Sequence, residues 1–171
     1  RCTDMGCNGG LMDNAFSWIN KNGGLCTEAA YPYVSGTTKT AGTCKTTCTK
    51  VSGSKITSYT DVTKNSDSAL MSAIAQQPVS VAIEADQASF QLYKSGVFDG
   101  KCGTNLDHGV LAVGYGTDSS SGLDFYKVKN SWGTGWGEKG YIRMVRGSTI
   151  NSQQIQGQCG VLSGPPSYPV L

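Results

Sequence analysis

The sequence has few charged residues, a single histidine and no long apolar run. Charged side chains make up 15% of the 171 residues, well below the share of about 25% usual for soluble domains. Fourteen basic and twelve acidic residues are interspersed and leave a net charge of +2, which argues against a nucleic-acid or anionic-lipid partner. The most apolar stretches, 79–85 and 109–115, are strand-sized, so no membrane-spanning segment and no membrane partner are expected.

The chain also lacks an initiator Met and a basic, then apolar leader, since it opens with Arg-Cys-Thr-Asp. This start predicts a chain that has been processed, trimmed or captured in part. Hydrophobic residues at 38% exclude intrinsic disorder as the main state. The length suits one large domain or two small ones.

Cysteine and glycine are the abundant residues, with seven and 23 copies. So many cysteines are rare in cytosolic proteins, so disulfide bonds and a lysosomal, vacuolar or secreted location are expected. Zinc is the alternative, with four candidate thiolates in Cys2, Cys7, Cys44 and Cys48, although their spacings miss the commoner two-residue gap. We therefore favour disulfides and expect neither a metal nor a cofactor. Because seven is odd, at least one cysteine is free or bonded outside this chain.

Apolar residues at steps of three and four predict an amphipathic helix over residues 11–22, ended by Gly23. Ala15, Phe16 and Ile19 are expected to pack in a core. The following residues, 25–50, are rich in Thr, Gly and Cys, which is typical of loops held by cross-links.

A second helix is predicted through Leu70, Ala73 and Ile74, with Asn65 or Ser66 as its cap and Pro78 as its end. From there on the pattern indicates strands alone, over residues 79–85, 109–115, 125–130 and 141–146. Several strands without intervening helices favour an antiparallel sheet or barrel. The expected fold class is α+β, with the change from helical to β structure near residue 58.

His108 and Asn130 are the candidate catalytic pair. A histidine where a loop enters an apolar strand can take a proton from a nucleophile, although most solitary histidines are surface or core residues. An Asn amide oxygen can fix the tautomer of such a ring, and Trp132 could shield that bond from water. Each residue alone could equally be a turn former or a packing residue. The meeting of Asn130, Trp132 and Trp136 in one short stretch favours the catalytic interpretation.

Four segments together resemble the papain family of cysteine peptidases, in the style of the cathepsin L branch. They are Gly6-Cys-Asn-Gly-Gly-Leu-Met, Pro78-Val-Ser-Val-Ala-Ile, Leu106-Asp-His-Gly and Lys129-Asn-Ser-Trp-Gly-Thr-Gly-Trp-Gly-Glu-Lys-Gly-Tyr. The resemblance implies a papain-like two-domain fold. It divides the chain into part of a helical left domain (1–58), an antiparallel β-barrel right domain (59–164) and a tail that crosses back (165–171).

By the same resemblance His108 is the general base and acid, and Asn130 orients it. Gly9 and Gly10 would pair with an extended substrate through backbone hydrogen bonds. The resemblance also implies an apolar pocket for the second residue before the scissile bond, lined by Leu11, Met12, Ala82 and Leu106 with Gly164 near its floor. Asp107 and Trp132 are the other implied substrate-binding residues. Peptide or protein substrates are the expected partners, together with the absent N-terminal segment of the same enzyme, and a prodomain or a cystatin-like inhibitor is a further candidate partner.

The family's nucleophilic cysteine has no counterpart here, and the family spacing puts it about 20 to 40 residues before Arg1. The resemblance pairs Cys2 with Cys44 and Cys102 with Cys159; Cys26 and Cys48 are additional and are paired with each other. Cys7 is left over, and its family partner lies in the same absent N-terminal segment. This predicts an endopeptidase whose 171 residues alone are inactive. The alternative is an inactive homologue with a structural, silicatein-like templating or peptide-binding role.

Overall fold

The computed structural model describes residues 4–147 and 155–171. The chain forms two compact units, the first running up to Thr60 and including Pro169–Leu171, the second being Asp61–Tyr168. The finer division into a left domain, a β-barrel over 59–164 and a crossing tail stays a prediction. Among the described residues, no helix is both long and apolar enough to cross a membrane.

The first unit contains helix α1 (Met12–Asn22) and the short helix α2 (Ser35–Thr38). Helix α1 begins one residue later than predicted because Leu11 is extended, and it ends as predicted at Gly23, which is left-handed with φ 74°. The core role expected for its apolar face is wrong: Ala15 is exposed, and Phe16 and Ile19 are only half-buried. Periodicity identifies the apolar face of a helix but not whether another element covers it.

A disulfide bond between Cys26 and Cys48 fastens the loop-rich remainder of the first unit. Close to it in sequence, the Val51 N–H donates to the Leu25 carbonyl at 2.9 Å, and the Leu25 N–H donates to the Ser54 hydroxyl at 2.8 Å. One disulfide bond and local hydrogen bonds therefore order this segment, in line with the loop character that its composition predicts.

Within the described part of the chain, seven strands form one sheet in the order β1-β7-β2-β4-β5-β6-β3. Their bounds are β1 Ser58–Asp61, β2 Val79–Ile83, β3 Val97–Phe98, β4 His108–Thr117, β5 Asp124–Lys129, β6 Tyr141–Val145 and β7 Ser167–Val170. The pairs β2–β4, β4–β5, β5–β6 and β2–β7 are antiparallel, whereas β3 pairs with β6 in parallel. The expectation of a purely antiparallel sheet is therefore wrong at this edge. Parallel pairing is possible there because β4 and β5 lie between the two strands in sequence and provide the long connection it needs.

Helix α3 (Asp67–Ile74) packs on the sheet and confirms the second predicted helix. Of the two candidate caps, Ser66 is the one used, since its hydroxyl accepts the Ala69 N–H at 3.2 Å. Leu70, Ala73 and Ile74 are buried, and they join a core that is completed by alternate residues of the strands. The core side chains with less than 2% exposure include Val79, Val81, Ile83, Phe90, Tyr126, Val128, Ile142, Met144 and Leu162.

The region after Val79 is not strand alone, because a short helix, α4 (Ala88–Gln91), follows β2. Its Phe90 side chain is completely buried. The second disulfide bond, Cys102–Cys159, lies at the edge of the same core, where both residues are buried. A mixed sheet flanked by a few helices makes the fold α+β.

Candidate active site

The order of the strands brings His108 and Asn130 together. His108 is the first residue of β4, and Asn130 follows the last residue of β5, Lys129. Because β4 and β5 are antiparallel neighbours, with Leu111 opposite Lys129, the start of one strand lies beside the end of the other. His108 Nε2 is 2.8 Å from Asn130 Oδ1. Asn130 is 7% exposed, and its backbone N–H donates to the Gly140 carbonyl at 2.9 Å.

The hydrogen bonds of Asn130 define the tautomer of His108. The backbone N–H of Ser131 donates to Asn130 Oδ1 at 2.7 Å, so this atom is an acceptor and must be the amide oxygen. An amide oxygen cannot donate, and His108 therefore donates its Nε2–H to Asn130. The neutral ring is left with Nδ1 as its proton acceptor, which is the arrangement that a general base requires.

Trp132 covers the imidazole. Its ring stacks on His108 with centroids 5.1 Å apart and an interplanar angle of 22°. Phe90 and Trp136 support Trp132 from behind with edge contacts at 5.7 and 5.2 Å. Trp136 is in turn fixed by its Nε1–H, which donates to the Gln91 carbonyl at 2.9 Å. Helix α4 thus supplies the support for an aromatic layer that holds the imidazole against rotation.

The loop between Asn130 and β6 depends on glycine at one position above all. Gly137 has φ 54°, and a Cβ added there would lie 2.5 Å from the Tyr141 carbonyl oxygen and 3.0 Å from the Tyr93 ring. Any side chain would push the loop away from β6. Trp132 and Trp136 belong to this loop. Gly137 therefore helps to fix the position of the aromatic layer by allowing the loop to lie close to β6.

An ionic network holds the far end of the same loop. Arg143 donates to Glu138 at 2.9 and 2.7 Å and to Asp118 at 2.5 Å. The bonds from Arg143 lower the pKa of Glu138 below its ordinary value, and both carboxylates raise the pKa of Arg143. The pKa of Asp118 is lowered first by hydrogen bonds from Ser120 and Ser121 and then by Arg143. This network fixes the loop and makes no direct bond to His108.

Three of the predicted pocket residues lie together in the second unit. A Cβ added to Gly164 would be 2.9 Å from Leu106 Cδ1 and 3.7 Å from Ala82 Cβ. Leu106 is 36% exposed, while Ala82 and Gly164 are half-buried. We call these three residues the apolar patch. Leu106 is two residues before His108 in the chain. Ala82 lies opposite Gly109, the residue that follows His108. The patch therefore lies beside the His108 backbone at the start of β4.

Residues 1–168 match the family described as papain family cysteine protease. The chain belongs to the papain family. It is 52% identical over 167 residues to the probable cysteine protease RD21B of Arabidopsis thaliana, covering 98% of this chain and 34% of that protein. It is 49% identical to the senescence-specific cysteine protease SAG39 of Oryza sativa subsp. japonica, covering 97% of this chain and 45% of that protein.

Solved structures agree with this assignment. The chain matches the bromelain protease of Ananas comosus in complex with the E64 inhibitor with a TM-score of 0.87 and 44% identity, over 100% of this chain and 74% of that chain. It also matches the proform of the ragweed pollen cysteine protease Amb a 11 with a TM-score of 0.85 and 40% identity, over 99% of this chain and 43% of that chain. The predicted family and the papain-like α+β fold are confirmed. The chain spans only about a third of RD21B.

The papain-family residues expected to bind the substrate backbone lie in the first unit and are exposed. Gly9 has φ 101°, and both of its backbone groups are engaged, since its N–H donates to the Gly6 carbonyl and its carbonyl accepts the Met5 N–H. Asp4 contacts the two residues that follow Gly9. Its Oδ1 accepts the Leu11 N–H at 2.9 Å, and a Cβ added to Gly10 would lie 2.5 Å from the Asp4 Cγ. Leu11 is 65% exposed, and Met12, the first residue of α1, is half-buried.

The cysteines divide into bonded and unbonded ones. Cys26–Cys48 and Cys102–Cys159 are disulfide bonds, so Cys48 is not available for the alternative zinc site. Cys2 lies outside the described residues, and its pairing with Cys44 stays a prediction. Cys44 and Cys7 are exposed and bond to no cysteine within the described residues. Within those residues, no three His, Cys, Asp or Glu side chains are grouped as a metal site would require.

Two residues that shape the site are missing from the sequence predictions. Phe90 supports Trp132 from a four-residue helix, which is too short for periodicity to reveal. Glu84 is a buried carboxylate just after β2, and it holds the loop that precedes Leu106. The only signal in the sequence is an acidic residue that directly follows an apolar strand.

Proposed function

We propose that the full-length protein containing this chain is a cysteine-type endopeptidase and that His108 and Asn130 are its catalytic base and orienting residue. The observation that supports this most directly is the 2.8 Å bond from His108 Nε2 to an Asn130 oxygen that also accepts the Ser131 N–H. This arrangement leaves Nδ1 as the only nitrogen of the neutral ring that can accept a proton. Membership of a family of cysteine proteases supplies the nucleophile type.

In the proposed reaction a cysteine outside these 171 residues gives its thiol proton to His108 Nδ1. The thiolate attacks the carbonyl carbon of a peptide bond, and the imidazolium then protonates the leaving amine. Water, with its proton taken by the same nitrogen, hydrolyses the resulting thioester and regenerates the thiol. Throughout these steps Asn130 holds the ring through Nε2, and the stacked Trp132 limits its rotation.

We further propose that the apolar patch contributes to a pocket for an apolar side chain, such as Leu, Phe or Val, two residues before the scissile bond. Leu106 supplies exposed methyl groups, and the absence of a side chain at Gly164 leaves room beside them. Gly10 is the better candidate for pairing with the substrate backbone, because the N–H and carbonyl of Gly9 are already bonded internally.

The proposal extends to location and partners. Two disulfide bonds favour an oxidising or degradative compartment, so we propose that the protein is vacuolar, lysosomal or secreted. One relative has been seen in its proform and another with the inhibitor E64. By analogy, we propose that a prodomain or a cystatin-like inhibitor occupies the same site in this protein.

The test uses the full-length protein, a peptide substrate with Leu in the proposed pocket and a thiol-directed epoxide probe. His108→Ala should lower kcat/KM by about 10³-fold or more, because the general base is lost. The control is Ser119→Ala at an exposed position in the turn between β4 and β5, which should keep full activity. The probe should label a cysteine outside these 171 residues. Activity that survives either His108→Ala or thiol alkylation, or a label on Cys7 or Cys44, would contradict the proposal.

A further inference from the structure

Glu84 is a buried carboxylate whose bonds all come from N–H groups nearby. The residue is 6% exposed. Its Oε1 accepts the Gly103 N–H at 2.9 Å and the Gln87 Nε2–H at 3.1 Å, while Oε2 accepts the Asn105 N–H at 2.6 Å. Its own N–H donates to the Cys159 carbonyl at 2.9 Å. Both carboxylate oxygens thus act as acceptors, and two of the three donors are backbone groups of one loop.

That loop, residues 103–106, joins the Cys102–Cys159 disulfide bond to the site. At its far end, the Asp107 N–H donates to the Ile83 carbonyl at 3.0 Å, and Asp107 Oδ1 accepts the Ala85 N–H at 2.8 Å. Between these two anchors, the hydrogen bonds to Glu84 hold the backbone of the loop. Leu106 is the last residue of this segment, so its position depends on Glu84.

Leu106 has little freedom to shift without changing the apolar patch. A Cβ on Gly160 would lie 2.9 Å from Leu106 Cδ2, and one on Gly164 would lie 2.9 Å from Cδ1. The Leu106 side chain therefore fits between two glycines at close range, and a small displacement of the loop would alter the apolar surface offered to a ligand.

His108, in contrast, has supports of its own. It pairs with Ile83 in the sheet, donates to Asn130 and stacks on Trp132. None of these contacts involves Glu84. Loosening loop 103–106 should therefore disturb the apolar patch and leave the imidazole in place.

We propose that Glu84 is a positioning residue for substrate selectivity: by fixing loop 103–106 it sets Leu106 against Gly160 and Gly164. The inference rests on the proposed peptidase function and adds to it a determinant of side-chain preference that does not touch the substrate. Loss of this carboxylate should weaken discrimination in favour of an apolar side chain without removing the chemistry.

Two variants change the Glu84 contacts from opposite sides. In Glu84→Gln an NH₂ group replaces one oxygen and faces an N–H donor, so one loop bond is lost. In Gly103→Ala the new Cβ would lie 2.5 Å from Glu84 Oε2 and must displace either the loop or the carboxylate. The matched control is Ser89→Ala, which removes the 2.8 Å bond from its hydroxyl to the Lys101 carbonyl, just before the loop.

The experiment measures kcat and KM of the full-length protein on two peptides that differ only in Leu or Ala at the proposed pocket residue. In both test variants the Leu-to-Ala ratio of kcat/KM should fall about three- to tenfold, through KM for the Leu peptide. kcat on the Ala peptide should stay within about twofold of the wild-type value. A contact that binds the ground state and the transition state equally affects KM and leaves kcat unchanged. Ser89→Ala should keep the wild-type ratio.

The outcomes separate this inference from the proposed function. If the wild-type protein cleaves neither peptide, the peptidase proposal fails. If it cleaves both and the two test variants keep its Leu-to-Ala ratio, the role of Glu84 in selectivity is disproved. Failure of both variants to fold would also disprove it, because Glu84 would then serve the stability of the whole unit.

Discussion

The two units of the chain reach order by different means. The second unit has a continuous buried core of strand and helix side chains, from Val62 to Leu162. In the first unit, only Gly24 and Ile56 are buried among the described residues. Apolar burial is therefore the main support of the unit that carries His108 and Asn130, whereas the Cys26–Cys48 bond and local hydrogen bonds hold the unit that carries Gly9 to Met12.

This contrast suits the proposed roles of the two units. A general base must keep its position to within a fraction of an ångström, and a packed sheet provides that rigidity. Backbone groups that pair with an extended peptide need less support, because an exposed, glycine-rich turn already presents them. Removal of the disulfide bonds and deletion of a buried side chain test how strongly the two units differ.

Removal of each disulfide bond should show the difference between the two units most clearly. The bonds close sequence separations of 22 and 57 residues, which on the chain-entropy model corresponds to about 3 and about 4 kcal/mol of stability. Despite the smaller figure, Cys26→Ala with Cys48→Ala should open the first unit, because little apolar burial remains to hold it. Cys102→Ala with Cys159→Ala should lower the stability of the second unit and leave its structure intact.

Hydrogen exchange in the full-length protein measures this difference. In the first double variant, the Leu25 and Val51 amides should lose protection while those of β4 and β5 keep it. In the second double variant, Cys102→Ala with Cys159→Ala, the β4 and β5 amides should stay more protected than the loop amides. Equal loss of protection in both units of either variant would show that the contrast is mistaken.

A single core deletion should produce the next largest effect. Leu70 is completely buried in the second unit, so Leu70→Ala should cost about 3 kcal/mol in the free energy of unfolding. Leu25, the matched residue in the first unit, is 45% exposed, and Leu25→Ala should cost less than about 1 kcal/mol. Urea unfolding of both variants gives the two numbers. Equal costs would mean that the first unit has a core comparable to that of the second.

The same contrast explains how much of the fold could be predicted from the sequence. Helices α1 and α3 and most of the long strands follow from periodicity, because their side chains repeat at 3.6 or two residues. Helix α4 and the short strands β1, β3 and β7 have only two to four residues each, too few for a periodic signal. Whether another element buries the apolar face of α1 could not be predicted either, because the sequence pattern of a helix does not show what packs against it.

The candidate site shows a similar limit. The residue types and spacing around His108, Asn130 and Trp132 indicated a catalytic pair with an aromatic neighbour, and the strand order accounts for their contact. The tautomer of His108 required the Ser131 N–H, a backbone contact that no residue pattern encodes. Glu84 escaped prediction because strict alternation from Val79 places position 84 on the outer face, whereas the residue lies just beyond β2 and turns inward.

The smallest predicted effect concerns acid stability within the second unit. Arg143 lowers the pKa of Glu138 in the folded protein, so this pair stabilises the fold fully above the ordinary pKa of 4.5 and loses its contribution as the pH falls below it. Because the pair is partly exposed, the contribution should be less than about 1 kcal/mol. Between pH 6 and pH 3, the wild-type Tm should therefore fall more than that of Glu138→Gln, by up to about 4 °C. Arg143 also bonds Asp118, which remains in the variant as an internal reference. A Glu138→Gln curve parallel to that of the wild type would show that the charge of Glu138 does not stabilise the fold.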